Sequence, residues 1–192
     1  MRVGIISDTH GDGAAWEQAL AGCFQGVDMI IHAGDVLYHG PRNPIVADYT
    51  PADLATLLQQ SPVPILIARG NCDAEVDAMV LNMPLPEQVV VQLGQRRLIA
   101  QHGHRLAAGE AESMAAYYRA DLWITGHTHV AALAAREGRL FLNPGSASLP
   151  RCGPLGRMKT VAVADDAGVK ILALATGEVL QELPWPQVRS EK

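Results

Sequence analysis

Apolar residues fall along the chain in short runs separated by glycine, proline and charge. Runs at 2–7, 28–33, 63–68, 87–93, 96–101, 120–125, 138–143, 160–165 and 169–175 have strand length, and most are rich in Val and Ile. Three other segments, 14–24, 51–60 and 108–119, carry apolar residues mostly at spacings of three and four, the period of a helix with one buried face. The first half of the chain therefore alternates strand and helix. From residue 138 onward the pattern is mainly strands joined by tight turns, such as Asp-Asp-Ala-Gly at 165–168. The expectation is an α/β (mixed α+β) chain with mixed sheets packed face to face. No internal repeat, low-complexity tract or long linker divides it, so one domain over 1–192 is expected.

The polar residues at the ends of these runs carry the chemistry. The run at 120–125 ends in Gly126, and His127 and His129 follow, separated by one threonine. If the extended geometry persists, both imidazoles point to the same side. Alone, such a pair most often binds nothing. Four other strand ends carry similar residues, usually beside glycine. They are Asp8 and His10 after 2–7, Asp35 after 28–33, Asn71 with Asp73 after 63–68, and His102 with His104 after 96–101. Taken singly, Asp35 could be a helix N-cap and Asn71 a turn residue. Ligand crevices of open α/β sheets lie at the carboxyl ends of strands, so five such ends converging point to a metal centre.

Composition narrows the setting. The chain has 192 residues, 48% hydrophobic and 18% charged, with a net charge of −5. That is ordinary for a globular domain with a sizeable core. No run of Lys or Arg stands out, which argues against an extended nucleic-acid surface. Cys23, Cys72 and Cys152 form no C-x-x-C pair, so a reduced, cytoplasmic setting is expected rather than a disulfide framework. The N-terminal apolar stretch is too short for a signal-peptide core. No segment approaches the ~20 apolar residues of a membrane span.

The order D-x-H, G-D, G-N, H-G-H and G-H-x-H resembles the calcineurin-like metallophosphoesterase superfamily. The match runs from Asp8 to the Asn-Pro-Gly-Ser at 143–146. The stretches 34–43 and 69–77 resemble, more narrowly, the bacterial YfcE-type phosphodiesterases. The resemblance implies two packed β-sheets flanked by helices, a four-layer αββα sandwich, with two divalent metals at the sheet ends. It implies Asp8, His10 and His129 on one metal, Asn71, His102 and His127 on the other, and Asp35 bridging. Two M²⁺ ions against two carboxylates leave a site charge of about +2, which draws in an anionic phosphoryl group despite the acidic chain. Two such ions ~3.5–4 Å apart can hold a hydroxide for in-line attack on phosphorus. The all-oxygen and nitrogen donor set suits Mn²⁺, Fe²⁺, Co²⁺, Ni²⁺ or Zn²⁺, and Mn²⁺ is what the resemblance suggests.

Other residues carry weaker expectations. His32, inside an apolar strand, reads as a core histidine or one bonded to a ligand carboxylate. His39, Arg42 and Asn43 lie in the loop after Asp35, on the expected rim of the site, where Arg42 reads equally as a phosphate contact or a solvated arginine. Arg69 reads as a phosphate clamp or, preferably, the ion-pair partner of Asp73. His104 could shuttle a proton or bond substrate, and Asn143 and Ser146 belong to a structural turn. Much of the superfamily has histidine directly after the asparagine of G-N. Here Cys72 stands there, as in the YfcE-like branch, which leaves the leaving-group acid open. The expected activity is hydrolysis of a small phosphodiester. Alternatives are phosphomonoesters, short oligonucleotides or cyclic nucleotides, and a retromer-subunit-like scaffold without turnover. A homo-oligomer such as a dimer is compatible with the sequence.

Overall fold

A computed structural model describes residues 1–186. Among them, three strands at the start of the chain, β1 (Val3–Ile6), β2 (Met29–His32) and β3 (Ile65–Ile67), pair in parallel. Helices α1 (Gly13–Ala21) and α2 (Pro51–Gln59) lie in the crossovers between them, and α3 (Glu75–Leu81) follows β3. A second group comprises β4 (Val89–Leu93), β5 (Arg96–Ala100), α4 (Glu110–Tyr117), β6 (Leu122–Ile124), β7 (Ala132–Arg136) and β8 (Arg139–Asn143). The chain then returns through β9 (Thr160–Ala164), β10 (Gly168–Ala173) and β11 (Val179–Pro184). The result is a six-stranded sheet, β11-β10-β9-β1-β2-β3, and a five-stranded sheet, β4-β5-β6-β8-β7.

Side-chain alternation explains the layering. Val3 and Ile5 of β1 point into the cluster shared with Leu98, Leu122, Ile124, Leu140 and Leu142 of the other sheet. Ile6 points the opposite way, into a cluster with Trp16, Leu54 and Leu58 of α1 and α2. Trp123 and Ile99 face outward from the five-stranded sheet and pack with Ala115 and Met114 of α4. Strands covered on both faces, such as β1, β6 and β9, read as continuous apolar runs rather than alternating ones, whereas edge strand β4 alternates in burial. The four layers expected from the sequence are present.

Three elements escaped the sequence pattern. The β7 strand is alanine-rich, with little β propensity. The β11 strand lies at an edge, and its Gln181 and Glu182 interrupt the apolar run. The α3 helix has seven residues and leaves Val76, Met79 and Val80 exposed, so no buried stripe marks it. Its N-terminus is held because the Asp77 carboxylate accepts from the Ala74 N–H at 2.8 Å.

Trp123 is 1% exposed and its indole N–H has no partner. Trp123→Ala should therefore cost ~3–5 kcal/mol through the cavity it leaves. Trp123→Phe forfeits no hydrogen bond and should cost less than half as much. The urea midpoints of the two variants check this, and equal losses would show that the indole N–H matters.

Candidate metal centre

The parallel strands β1, β2, β3, β5 and β6 all run out into loops at one end of the sandwich. Asp8, His10, Asp35, His127 and His129 there adopt left-handed backbone conformations, with φ between 46° and 67°. Such conformations cost a residue with a β-carbon about 1 kcal/mol or more each and concentrate at functional sites. The expected extended His-x-His is therefore not what forms. His129 turns inward and is 4% exposed, while His127 stays exposed with its ring 5.3 Å from that of His102.

The inward-turned groups crowd around one point. His10 Nε2 lies 3.1 Å from His129 Nε2. The Nδ1–H groups of these rings donate to the carbonyls of Tyr38 and Leu149, at 2.8 and 2.7 Å. In the neutral rings both Nε2 atoms then present lone pairs to each other. Asp8 Oδ1 joins them at 3.3 Å from His129 and 3.8 Å from His10; it is buried and has no hydrogen-bond partner. Two donors ~2.1 Å from one ion, at angles of roughly 90–110°, lie about 3.0–3.4 Å apart. Lone pairs facing at that spacing fit a cation between them.

A second group adjoins the first. His102 donates Nδ1–H to the Ala33 carbonyl at 2.7 Å, and its Nε2 faces Asn71 Oδ1 at 3.2 Å and Asp35 Oδ2 at 3.3 Å. The same Asp35 oxygen is 3.8 Å from His10 Nε2, so Asp35 stands between the two groups. Burial pulls the His102 pKa down. The Asp35 hydrogen bond and the charges of Asp8 and Asp35 outweigh it and raise the pKa to about 9. Burial would raise Asp35, but His102 and the Cys72 N–H hold its carboxyl well below the ordinary range.

The frame around these ligands is specific. Asp8 Oδ2 accepts from Ser7 Oγ and the His127 N–H, at 2.6 and 3.1 Å. The buried Asp73 carboxylate accepts from the N–H groups of Asp35, Val36 and Gly70, at 2.7–2.8 Å, and so ties the loops after β2 and β3 together. A β-carbon at Gly70 would overlap Asp35 Oδ1, and one at Gly126 would overlap Ser7 Oγ and crowd Asp8. Ser146 donates to the Asp8 carbonyl, and Asn143 donates to the Gly126 carbonyl, each at 2.7 Å. His32 is fully buried; it accepts from the Gly34 N–H and donates to the Thr9 hydroxyl rather than to a ligand carboxylate. Burial lowers its pKa to about 4.

The outer residues fall less uniformly into place. A cleft of about 400 Å³ is lined by Asp35, Asn71, Cys72, His127, Thr128 and His129, with Gly40, Pro41, Arg42, Asn43 and Arg151 around them. His39 is not on its lining; the ring packs between Tyr38 and Tyr49, with centroids 4.6 and 5.3 Å away. Arg69 is also elsewhere. It lines a separate pocket of about 190 Å³ with His102, His104, Gln101 and Arg105. Its Nε donates to the Asp73 carbonyl at 3.2 Å, so the expected carboxylate ion pair does not form, because backbone N–H groups already occupy that carboxylate. Cys72 is half-buried, with Sγ accepting from the Asn71 amide at 3.2 Å. Burial, then the Asp35 carboxylate, push its thiol up to about 12. The residues missed in the sequence are Ser7, Thr9 and Arg151. Their positions follow from the fold, and no spacing marks them.

The calcineurin-like phosphoesterase superfamily model matches residues 1–166. The chain belongs to this superfamily. It is 34% identical over 187 residues to phosphodiesterase YfcE of Escherichia coli K12, covering 95% of this chain and 97% of that protein. The solved structure of E. coli YfcE, a phosphoesterase, superposes with a TM-score of 0.83 at 30% identity, over 96% of this chain and all of that one. Vps29 of Chaetomium thermophilum shares the fold, with a TM-score of 0.70 at 17% identity over 100% of this chain and 97% of that one. Family membership implies divalent metal ions, and the lone-pair geometry at His10, His129 and Asp8 fits them.

Two outcomes are expected. Asp35→Asn removes negative charge between the two ligand groups and should release at least one metal equivalent; metal analysis after dialysis would refute this by finding two equivalents held at native affinity. A raised His102 pKa in the metal-free protein means a proton must leave as metal binds. Apparent metal affinity should therefore rise with pH from 6 towards about 9. Calorimetry in buffers of differing ionisation enthalpy would show the released proton, and a pH-independent affinity would exclude it.

Proposed function

We propose that the protein is a metal-dependent phosphodiesterase acting on small phosphodiesters. The observation that carries the reading is the convergence of His10 Nε2, His129 Nε2 and the unpartnered Asp8 Oδ1 at the head of an open cleft. In this reading two divalent ions are held, one by Asp8, His10 and His129 and the other by Asn71, His102 and His127, with Asp35 shared. Mn²⁺ is the preferred identity. Bound there, the pair supplies Lewis acidity and an ionised water near neutral pH. The two sheets act as one phosphoesterase domain, each contributing ligands.

The chain's own part is orientation. The carbonyls of Tyr38, Leu149 and Ala33 engage Nδ1 of His10, His129 and His102, so that each ring turns its Nε2 towards the site; at His102 the Nε2 proton must first leave. Asp73 holds the backbone that presents Asp35 and Asn71. Leaving-group protonation is the weak point. With its thiol pushed up to about 12, Cys72 stays protonated but is a poor hydrogen-bond donor. Burial and the neighbouring His102 lower the pKa of His104, so at neutral pH it is a neutral hydrogen-bonding ring rather than a ready acid. Good leaving groups, already stable as anions, should therefore react best.

With Mn²⁺ added, kcat/KM for an aryl phosphodiester should exceed that for the matching monoester; the reverse order would make the protein a phosphatase. Cys72→Ser should change aryl diester turnover little. Cys72→His should help alkyl leaving groups by up to ~10²-fold if it restores general acid catalysis. Loss of turnover or of metal in Cys72→Ser would show instead that the sulfur is a ligand or nucleophile.

A further inference from the structure

Among the described residues, every lysine and arginine side chain has a hydrogen-bond or ion-pair partner except Arg42 and Arg151. Both line the same cleft, the one that opens on Asp35, His127 and His129. Elsewhere carboxylates, as at Arg96, Arg105, Arg136, Lys159 and Lys170, or backbone carbonyls, as at Arg2, Arg69, Arg97 and Arg157, engage the cations; here two guanidinium groups are left free. Each stands on a frame fixed to the metal-site loops. The Arg151 N–H donates to the His129 carbonyl at 3.0 Å, and the preceding Leu149 carbonyl receives His129 Nδ1–H. Arg42 lies in a turn held by Asn43, whose amide donates to the His39 carbonyl at 2.8 Å. The turn's Gly40 is so close to Cys72 that a β-carbon there would lie 3.0 Å from Sγ.

We infer that Arg42 and Arg151 form a second anion subsite, and that the preferred substrate is a phosphodiester carrying a terminal phosphomonoester on one of its arms. This deepens the phosphodiesterase reading and rests on it. The scissile phosphoryl group is served at the metal centre. Two unpaired guanidinium groups beyond it match the two charges of a terminal phosphate, which arginine grips through paired N–H donors. A carboxylate or an internal diester carries one charge and leaves one cation unmatched.

Binding tests the subsite without requiring turnover. A nucleoside 5′-monophosphate, its 3′,5′-bisphosphate and a 5′-phosphorylated dinucleotide are titrated calorimetrically into Mn²⁺-loaded protein. The bisphosphate should bind at least ~10-fold more tightly than the monophosphate, as expected of charge-assisted contacts, and the advantage should shrink with added salt because both arginines are exposed. In the Arg42→Gln, Arg151→Gln double variant the two affinities should converge, whereas Arg151→Lys alone should keep part of the difference. The 5′-phosphorylated dinucleotide, a diester with a terminal phosphate, should share the advantage; equal affinities of the mono- and bisphosphate in the native protein, or an equal loss for both probes in the double variant, would each overturn the inference. Absence of diester turnover alongside a retained bisphosphate advantage would instead place the fault with the activity and keep the subsite.

Discussion

The structure turns on a repulsion. With both rings neutral, two imidazole nitrogens and a carboxylate oxygen, all buried, aim lone pairs at one another across 3.1–3.8 Å. No proton lies between the two rings when both are neutral, because each has committed its Nδ1–H to a carbonyl. Such an arrangement is unfavourable by itself, since unpaired buried polar atoms cost ~1–3 kcal/mol each. A cation converts the same geometry into a set of bonds. The rest of the fold can be understood as what keeps these groups from turning away.

Holding them requires rigidity from several directions. Left-handed backbone at Asp8, His10, Asp35 and His129 accompanies side chains turned inward from the strand ends. The glycines at 70 and 126 leave room for the carboxylates of Asp35 and Asp8. Asp73, itself no member of the donor groups around Asp8 and Asp35, fixes three backbone N–H groups with one buried carboxylate. The His32–Thr9 pair links the loop after β1 to the carbonyl of Val36 beyond β2, since Thr9 donates there at 2.9 Å. Strained backbone of this kind persists only where its surroundings over-determine it, and here hydrogen bonds from both sheets do so.

What the sequence revealed depended on whether the information lay in side-chain identity or in three-dimensional closure. Buried strands announced themselves as apolar runs, and Asp8, His10, Asp35, Asn71, His102 and His129 stood out because residues able to ligate a metal rarely follow such runs five times. Alanine-rich β7 and the short, exposed α3 carried no periodic signal. The alternation argument for His127 and His129 failed because it assumed strand geometry beyond Gly126, where the backbone turns left-handed. The anchors of the rings were invisible for a deeper reason. The carbonyls of Tyr38, Leu149 and Ala33 are backbone atoms, which any residue supplies. Arg69 and His39 looked suited to phosphate by type, but their neighbours claimed them, Asp73 in one case and two tyrosines in the other.

Charge explains the order in which the site's partners can arrive. Overall the chain is acidic, at −5, and without cations the centre holds the carboxylates of Asp8 and Asp35 against little more than the His102 proton. An incoming phosphate would meet those carboxylates at close range in a poorly screened setting, where like charges repel strongly. Loading with divalent ions would shift the cleft floor towards positive, by two charges per ion less the protons released. Metal loading therefore favours the anion's approach through electrostatics. Arg42 and Arg151 line the mouth of the same cleft without a counter-charge among the described residues and bias it towards anions. The floor and the mouth thus differ in what sets their charge: the floor depends on metal, while the exposed mouth is screened by salt.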